Sequence, residues 1–178
     1  MTTDRWDESW WSRAEPIYHE AFPEHGRKKT TVIRGMFAKG MCQLHLASLH
    51  ADTVAMALTG RPEGTDVLLI DYLAVKKEVR GQGVGREFVA RIRQWAEQQE
   101  YDALLLETEA GSSSVDQHRR RFWEACGFRL TSYVHRYIWV PELYQAMVLP
   151  FHPDGEPADD GERLFSYITR FHKQAYRR

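Results

Sequence analysis

The stretch DVLLIDYLAV, residues 66–75, narrows the folds open to this chain more than any other segment. It is the most continuous strand candidate and is apolar enough to lie in the middle of a sheet. EVRGQGVG, residues 78–85, follows almost at once, with three glycines and an arginine in eight positions. Val84, Phe88, Ile92 and Trp95 then recur at helical spacing. A strand, a glycine turn and a helix start in series bring backbone N–H groups and the positive end of a helix dipole to one place, where a phosphate can sit. An ordinary strand-to-helix turn is the plain alternative.

The rest of the chain supplies a mixed sheet with helices. Trp10, Ala14, Ile17 and Ala21 have helical spacing, with Pro16 expected to kink or restart the helix. KKTTVIRGMFAKG places Val32, Ile33, Met36 and Phe37 on one face and Gly40 as its stop. MCQLHLASL and TVAMALTG alternate like strands around the short turn HAD. YDALLLETEA reads as a second buried strand. SSSVDQHRRRFWEACGF reads as a helix capped by serine and closed by Gly127. RLTSYVHRYIWV and QAMVLPF read as two more strands. FHPDGEPADDG is expected to be a solvated loop, and Leu164, Ile168, Phe171 and Ala175 mark a final amphipathic helix. The expectation is one domain over residues 1–178: N-terminal helices to 40, a core from 41 to 150, and a loop and helix from 151.

Spacing discriminates among the phosphates. A P-loop requires a lysine and a hydroxyl after its last glycine, and neither is present. A dinucleotide turn, G-x-G-x-x-G, is met by Gly81 and Gly83 but has Arg86 at its third position. A degenerate turn of that kind stays open, with Glu107 as its downstream acid. The pattern R/Q-x-x-G-x-G/A is met in full by Arg80, Gly83 and Gly85.

LAVKKEVRGQGVG resembles the acetyl-CoA signature of the GNAT N-acetyltransferase superfamily. RRRFWEACGF resembles that family's later helix-and-turn motif, and a helix and the strand LLLETE separate the two, in the family's order. The resemblance covers roughly residues 41–140; the family's first strand is not legible. It implies an α/β (α+β) fold: a mixed, largely antiparallel sheet with a splayed strand pair, helices on both faces, and an extra C-terminal helix. Pantetheine is then expected between strands 66–75 and 103–109, against the backbone of Leu73, Ala74 and Val75. Pyrophosphate is expected on Arg80, Gly81, Gln82, Gly83, Val84, Gly85 and Arg86. The Leu73 N–H would polarise the thioester carbonyl.

The expected activity is transfer of an acetyl group from acetyl-CoA to a small-molecule or peptide primary amine, by direct attack in a ternary complex. A non-catalytic acyl-CoA-binding module is the alternative. Residues 67, 69, 71, 73 and 75 share one face of an ideal strand, and Asp71 is the lone carboxylate among them. Asp71 is the first candidate for general base and Glu107 the second. The family's tyrosine, held to protonate the departing thiolate, falls on Trp123, whose indole can donate a hydrogen bond to sulfur but is no acid. Tyr133 or Tyr137 could take that role, or the thiolate could leave unaided.

Little else carries chemistry. Twenty-four basic and 25 acidic residues nearly cancel, so no global field favours nucleic acid or a membrane surface. No apolar run is long enough to span a bilayer, and the N-terminus MTTDRWDESWW does not read as a signal peptide. Cys42 and Cys126 read as reduced packing residues of a cytoplasmic protein. The eight histidines show no metal-ligand spacing, so no metal is expected. Trp10 and Trp11 are candidates for packing, for the acceptor site or for a homodimer contact.

Overall fold

A computed structural model describes residues 1–138, 141–152 and 160–177. Most of the loop expected at FHPDGEPADDG lies outside the described residues. Among the described residues seven strands form one sheet in the order β1-β2-β3-β4-β5-β7-β6. They are β1 Thr2–Thr3, β2 Cys42–Leu49, β3 Asp52–Gly60, β4 Val67–Val75, β5 Ala103–Glu109, β6 Arg129–Arg136 and β7 Leu143–Pro150. Every neighbouring pair is antiparallel except β4 and β5. The helices are α1 Glu8–Ala21, α2 Thr30–Ala38, α3 Val84–Gln98, α4 Ser114–Ala125 and α5 Gly161–Tyr176.

Alternation along the strands sends side chains to two cores. Val67, Leu69, Ala103, Leu105, Ala146 and Val148 face α1, α2 and α5. Leu68, Ile70, Leu104, Leu106, Met147 and Leu149 face α3 and α4. Burying both sheet faces explains why β4 and β5 read as continuous apolar runs. Three expectations need correction. α1 runs unbroken through Pro16, and its buried stripe is Trp11, Ala14, Ile17 and Tyr18, with Trp10 and Ala21 only half-buried. A first strand exists, but its two residues are too few to show a period.

The third correction positions the site. In the β3–β4 ladder Thr59 pairs with Ile70 and Leu58 with Tyr72, so Asp71 is an extra residue, a β-bulge. Strand alternation is reset there. Val67 and Leu69 face the α1–α2–α5 core, but beyond the bulge Ala74 takes that side, with Leu73 and Val75 on the other. Residues 67–75 therefore do not share one face at odd positions.

Candidate active site

The pairing of β4 with β5 covers only Val67–Leu69 against Ala103–Leu105. Past that point β4 stays bonded to β3 as far as Val75, and β5 to β7 as far as Glu109, so the two strands part. Lys76 N–H bonds the Val54 carbonyl at 2.8 Å, which fixes the parity of the β3–β4 ladder. By that parity Ala74 turns its backbone groups toward β3, whereas Leu73 and Val75 turn theirs into the gap. Arg80 Nε donates to the Val75 carbonyl at 2.8 Å, from the gap side. Ala74, expected beside pantetheine, is instead 4% exposed in the core with its backbone spent on the ladder.

The glycine turn lies at the end of this gap. Gly81 and Gly83 have φ of +78° and +84°, a region that favours glycine, and a Cβ on either would meet nothing within 4 Å. Their requirement is conformational, and the space above them is open. Gly85 differs: a Cβ there would stand 3.1 Å from the Phe122 ring. Gly83 is the N-cap of α3 and has no side-chain cap, so the first N–H groups of the helix lack a side-chain acceptor. Arg80, Gln82 and Arg86 are exposed, and Val84 is half-buried. Arg80 also pairs with Glu20 at 3.3 Å. Trp123 is 8% exposed, packed edge-on against Phe122 and Phe128. Its place is thus in the α3–α4 core, and Phe122 is the ring that meets the glycine turn.

On the opposite face the proposed proton-handling residues converge. Lys28, in the segment before α2, donates to both carboxylate oxygens of Asp71 at 2.8 Å. Both side chains are nearly sealed from solvent, at 4% and 3% exposure. The backbone of Lys28 is pinned as well: its N–H donates to Tyr72 Oη, and its carbonyl accepts from Tyr18 Oη, both at 3.1 Å. His172 of α5 places Nδ1 3.3 Å from Lys28 Nζ and Nε2 3.1 Å from Glu107 Oε1. Tyr137 Oη donates to Glu107 Oε2 at 2.6 Å.

Asp71, Glu107 and Tyr137 thus belong to one chain of contacts, completed by Lys28 and His172. Sequence reasoning singled out neither of these last two, which act across separations of 43 and 65 residues. Burial pushes the Glu107 carboxyl up, but its hydrogen bond and electrostatic attraction to His172, the hydrogen bond from Tyr137 and the nearby Lys28 charge outweigh it and hold it below the usual range. Burial, then the adjacent Glu107, push the Tyr137 phenol far up. A phenol so placed supports the carboxylate and is a poor acid for sulfur; Tyr133 packs against Phe165 and His135.

The remaining candidates pack. His45 is buried between Thr2 and Thr59, with ring nitrogens 2.9 and 2.8 Å from the two hydroxyls, and burial pushes its pKa down to about 3. Burial likewise raises the Cys126 thiol to about 11. Trp11 is buried and donates to Glu15. Among the described residues no group of three or more His, Cys, Asp or Glu is placed to hold a metal, and no helix is long and apolar enough to cross a membrane.

Residues 5–128 match the family model described as acetyltransferase (GNAT) family. No curated protein matches. Among solved structures, an aminoglycoside 6'-N-acetyltransferase complexed with coenzyme A superposes with a TM-score of 0.70 at 12% identity, covering 88% of this chain and 99% of that one. The ribosomal-protein-S18-alanine N-acetyltransferase from Escherichia coli gives 0.63 at 20% identity, covering 88% and 97%. A protein from Bacillus anthracis str. Ames, provisionally described as a streptothricin acetyltransferase and bound to acetyl coenzyme A, gives 0.54 at 22% identity. That match covers 63% of this chain and 64% of the other, less than two thirds of its length. At these identities the likeness is one of fold.

Proposed function

The chain belongs to the GNAT acetyltransferase family, and from that premise we propose that it transfers an acetyl group from acetyl-CoA to a primary amine by direct attack in a ternary complex. The observation that carries this reading is the gap between β4 and β5, lined by the backbone groups of Leu73 and Val75 and ending on the uncapped N-terminus of α3. An extended amide-bearing arm can pair with such a strand edge as a further strand would. The N–H groups of residues 81–86 and the helix dipole suit a pyrophosphate, with Arg80 and Arg86 as counter-charges. Arg80 would first give up the Val75 carbonyl, which the arm also needs.

Two neighbours named for an aminoglycoside and for a ribosomal-protein alanine support an amine acceptor, small-molecule or peptide. Asp71 and Glu107 against Lys28 leave one negative charge in excess, which favours a cationic amine. Within the site we assign proton acceptance to Glu107. Both oxygens of Asp71 are held by Lys28, and its side chain is 3% exposed, against 24% for Glu107. Asp71 then acts as a fixed counter-charge and Tyr137 as a support for Glu107. The Leu73 N–H, turned into the gap, is the donor placed to stabilise the oxyanion.

Thermal unfolding with acetyl-CoA or NAD, followed by thiol release across an amine library, tests the reading. Acetyl-CoA at a hundredfold excess over its Kd should stabilise the fold by about 2.7 kcal/mol, and NAD should not. Stabilisation by NAD alone would overturn it. Acetyl-CoA binding with no amine turned over would leave an acyl-CoA-binding module.

A further inference from the structure

Building on the acetyl-transfer reading, we propose that His172, on α5, is the positioning residue that keeps Glu107 ionised and aimed as the proton acceptor. The residue lies outside the segment matched by the family model, which ends at 128.

The hydrogen-bonding roles follow from the partners. Lys28 Nζ is an ammonium and can only donate, so His172 Nδ1, 3.3 Å away, must accept. The ring proton of a neutral imidazole is then on Nε2, directed at Glu107 Oε1 at 3.1 Å. Lys28 therefore sets the tautomer, and the tautomer sets the donor that Glu107 receives. The ring itself is held by its helix: Ile168 and Phe171 are fully buried, and His172 follows them at the edge of that stripe.

Glu107 needs such a donor. A carboxyl taken from water into a low-dielectric site takes up a proton, and a protonated carboxylic acid cannot accept one from an amine. Tyr137 supplies one hydrogen bond to the carboxylate, on Oε2, and His172 supplies the other, on Oε1. Among the described residues the charged groups facing the imidazole are Lys28 from the segment before α2, Asp71 from β4 with an oxygen 3.9 Å from Nδ1, and Glu107 from β5. The two carboxylates outnumber the ammonium by one, so the cluster favours an arriving cation.

In the transfer the ammonium first gives one proton to solvent, and the nitrogen lone pair so freed bonds the acetyl carbonyl carbon. The C–S bond breaks with its electron pair left on sulfur, and the nitrogen's second proton passes to Glu107, while the thiolate takes up a proton from solvent. His172 takes no proton in this step. It acts through Glu107, so its removal should be visible in the titration of that carboxyl.

The test uses His172→Phe, which keeps a flat ring and removes the donor, and His172→Gln, which retains an N–H at similar reach. With any amine turned over by the native chain, His172→Phe should lose roughly 10²-fold in turnover, the low end of a general base's contribution. The acidic limb of its kcat/KM profile should move to higher pH, and His172→Gln should recover part of both. Acetyl-CoA stabilisation should be unchanged in both variants, because the coenzyme face is untouched. A folded His172→Phe protein with the native limb and turnover overturns the proposal. If the native chain acetylates no amine, the underlying reading fails instead, and 13C NMR titration of the Glu107 carboxyl still decides this proposal. That titration must move to higher pH in His172→Phe, and an unmoved one rejects the role.

Discussion

At residue 71 the acid that sequence makes the first candidate for general base is half of a buried ion pair. Breaking such a pair from one side leaves a charge without a partner, which costs about 3–5 kcal/mol, whereas replacing both members with apolar residues is often neutral. Asp71→Asn should therefore lower stability to urea by that amount, with Lys28, 4% exposed, as the stranded charge. Lys28→Met combined with Asp71→Leu should restore most of it. A single variant within about 1 kcal/mol of the native chain would mean that the pair is well hydrated. Trp123 shows the converse case: the motif that names it is local, but which way its ring points depends on how α4 lies on the sheet. Nothing in RRRFWEACGF distinguishes its ring from that of Phe122 as the one against the glycine turn.

At the scale of elements the strands and helices were largely legible, because burial on one face writes a period into the sequence and burial on both writes a continuous apolar run. What failed was shorter or longer than a period. β1 has two residues, and the bulge at Asp71 inserts one residue into an alternation that looks intact. The glycine turn was legible because its constraint is local, and it carries a prediction of its own. Gly83→Val places a β-branched residue at φ +84°, the N-cap of α3, facing open space. It should cost a few kcal/mol of stability from backbone strain. It should also remove the acetyl-CoA-induced rise in Tm while NAD remains without effect; unchanged acetyl-CoA binding would take this turn out of the coenzyme site. The polar cluster of Lys28, Asp71, Glu107, Tyr137 and His172 was not legible as a whole. Its members come from five separate places in the chain, and Lys28 and His172 are 144 residues apart.

Over the whole molecule, α5 joins what the sheet nearly separates. β1–β4 and β5–β7–β6 are two antiparallel ribbons joined by a three-residue parallel ladder. α5 packs on β5, β6 and β7, and also on α2. Its C-terminal carbonyls receive Lys39 Nζ, at 3.0 Å for Gln174, and Arg170 reaches the Glu63 carbonyl at 2.6 Å. Phe171 is fully buried, its ring so close to Gly60 of β3 that a Cβ there would overlap it. Phe171→Ala should destabilise the protein by about 3–5 kcal/mol, measured by urea unfolding, as deletion of a buried aromatic does. It should also lower turnover, since His172 is the next residue. The brevity of the β4–β5 ladder has a consequence for how the protein yields. A three-residue seam is a line along which the molecule can be unzipped, and a ligand lying in the gap would stitch that line with bonds of its own. Load applied across the two ribbons would meet its least resistance there, and a molecule holding its donor would tear later than an empty one.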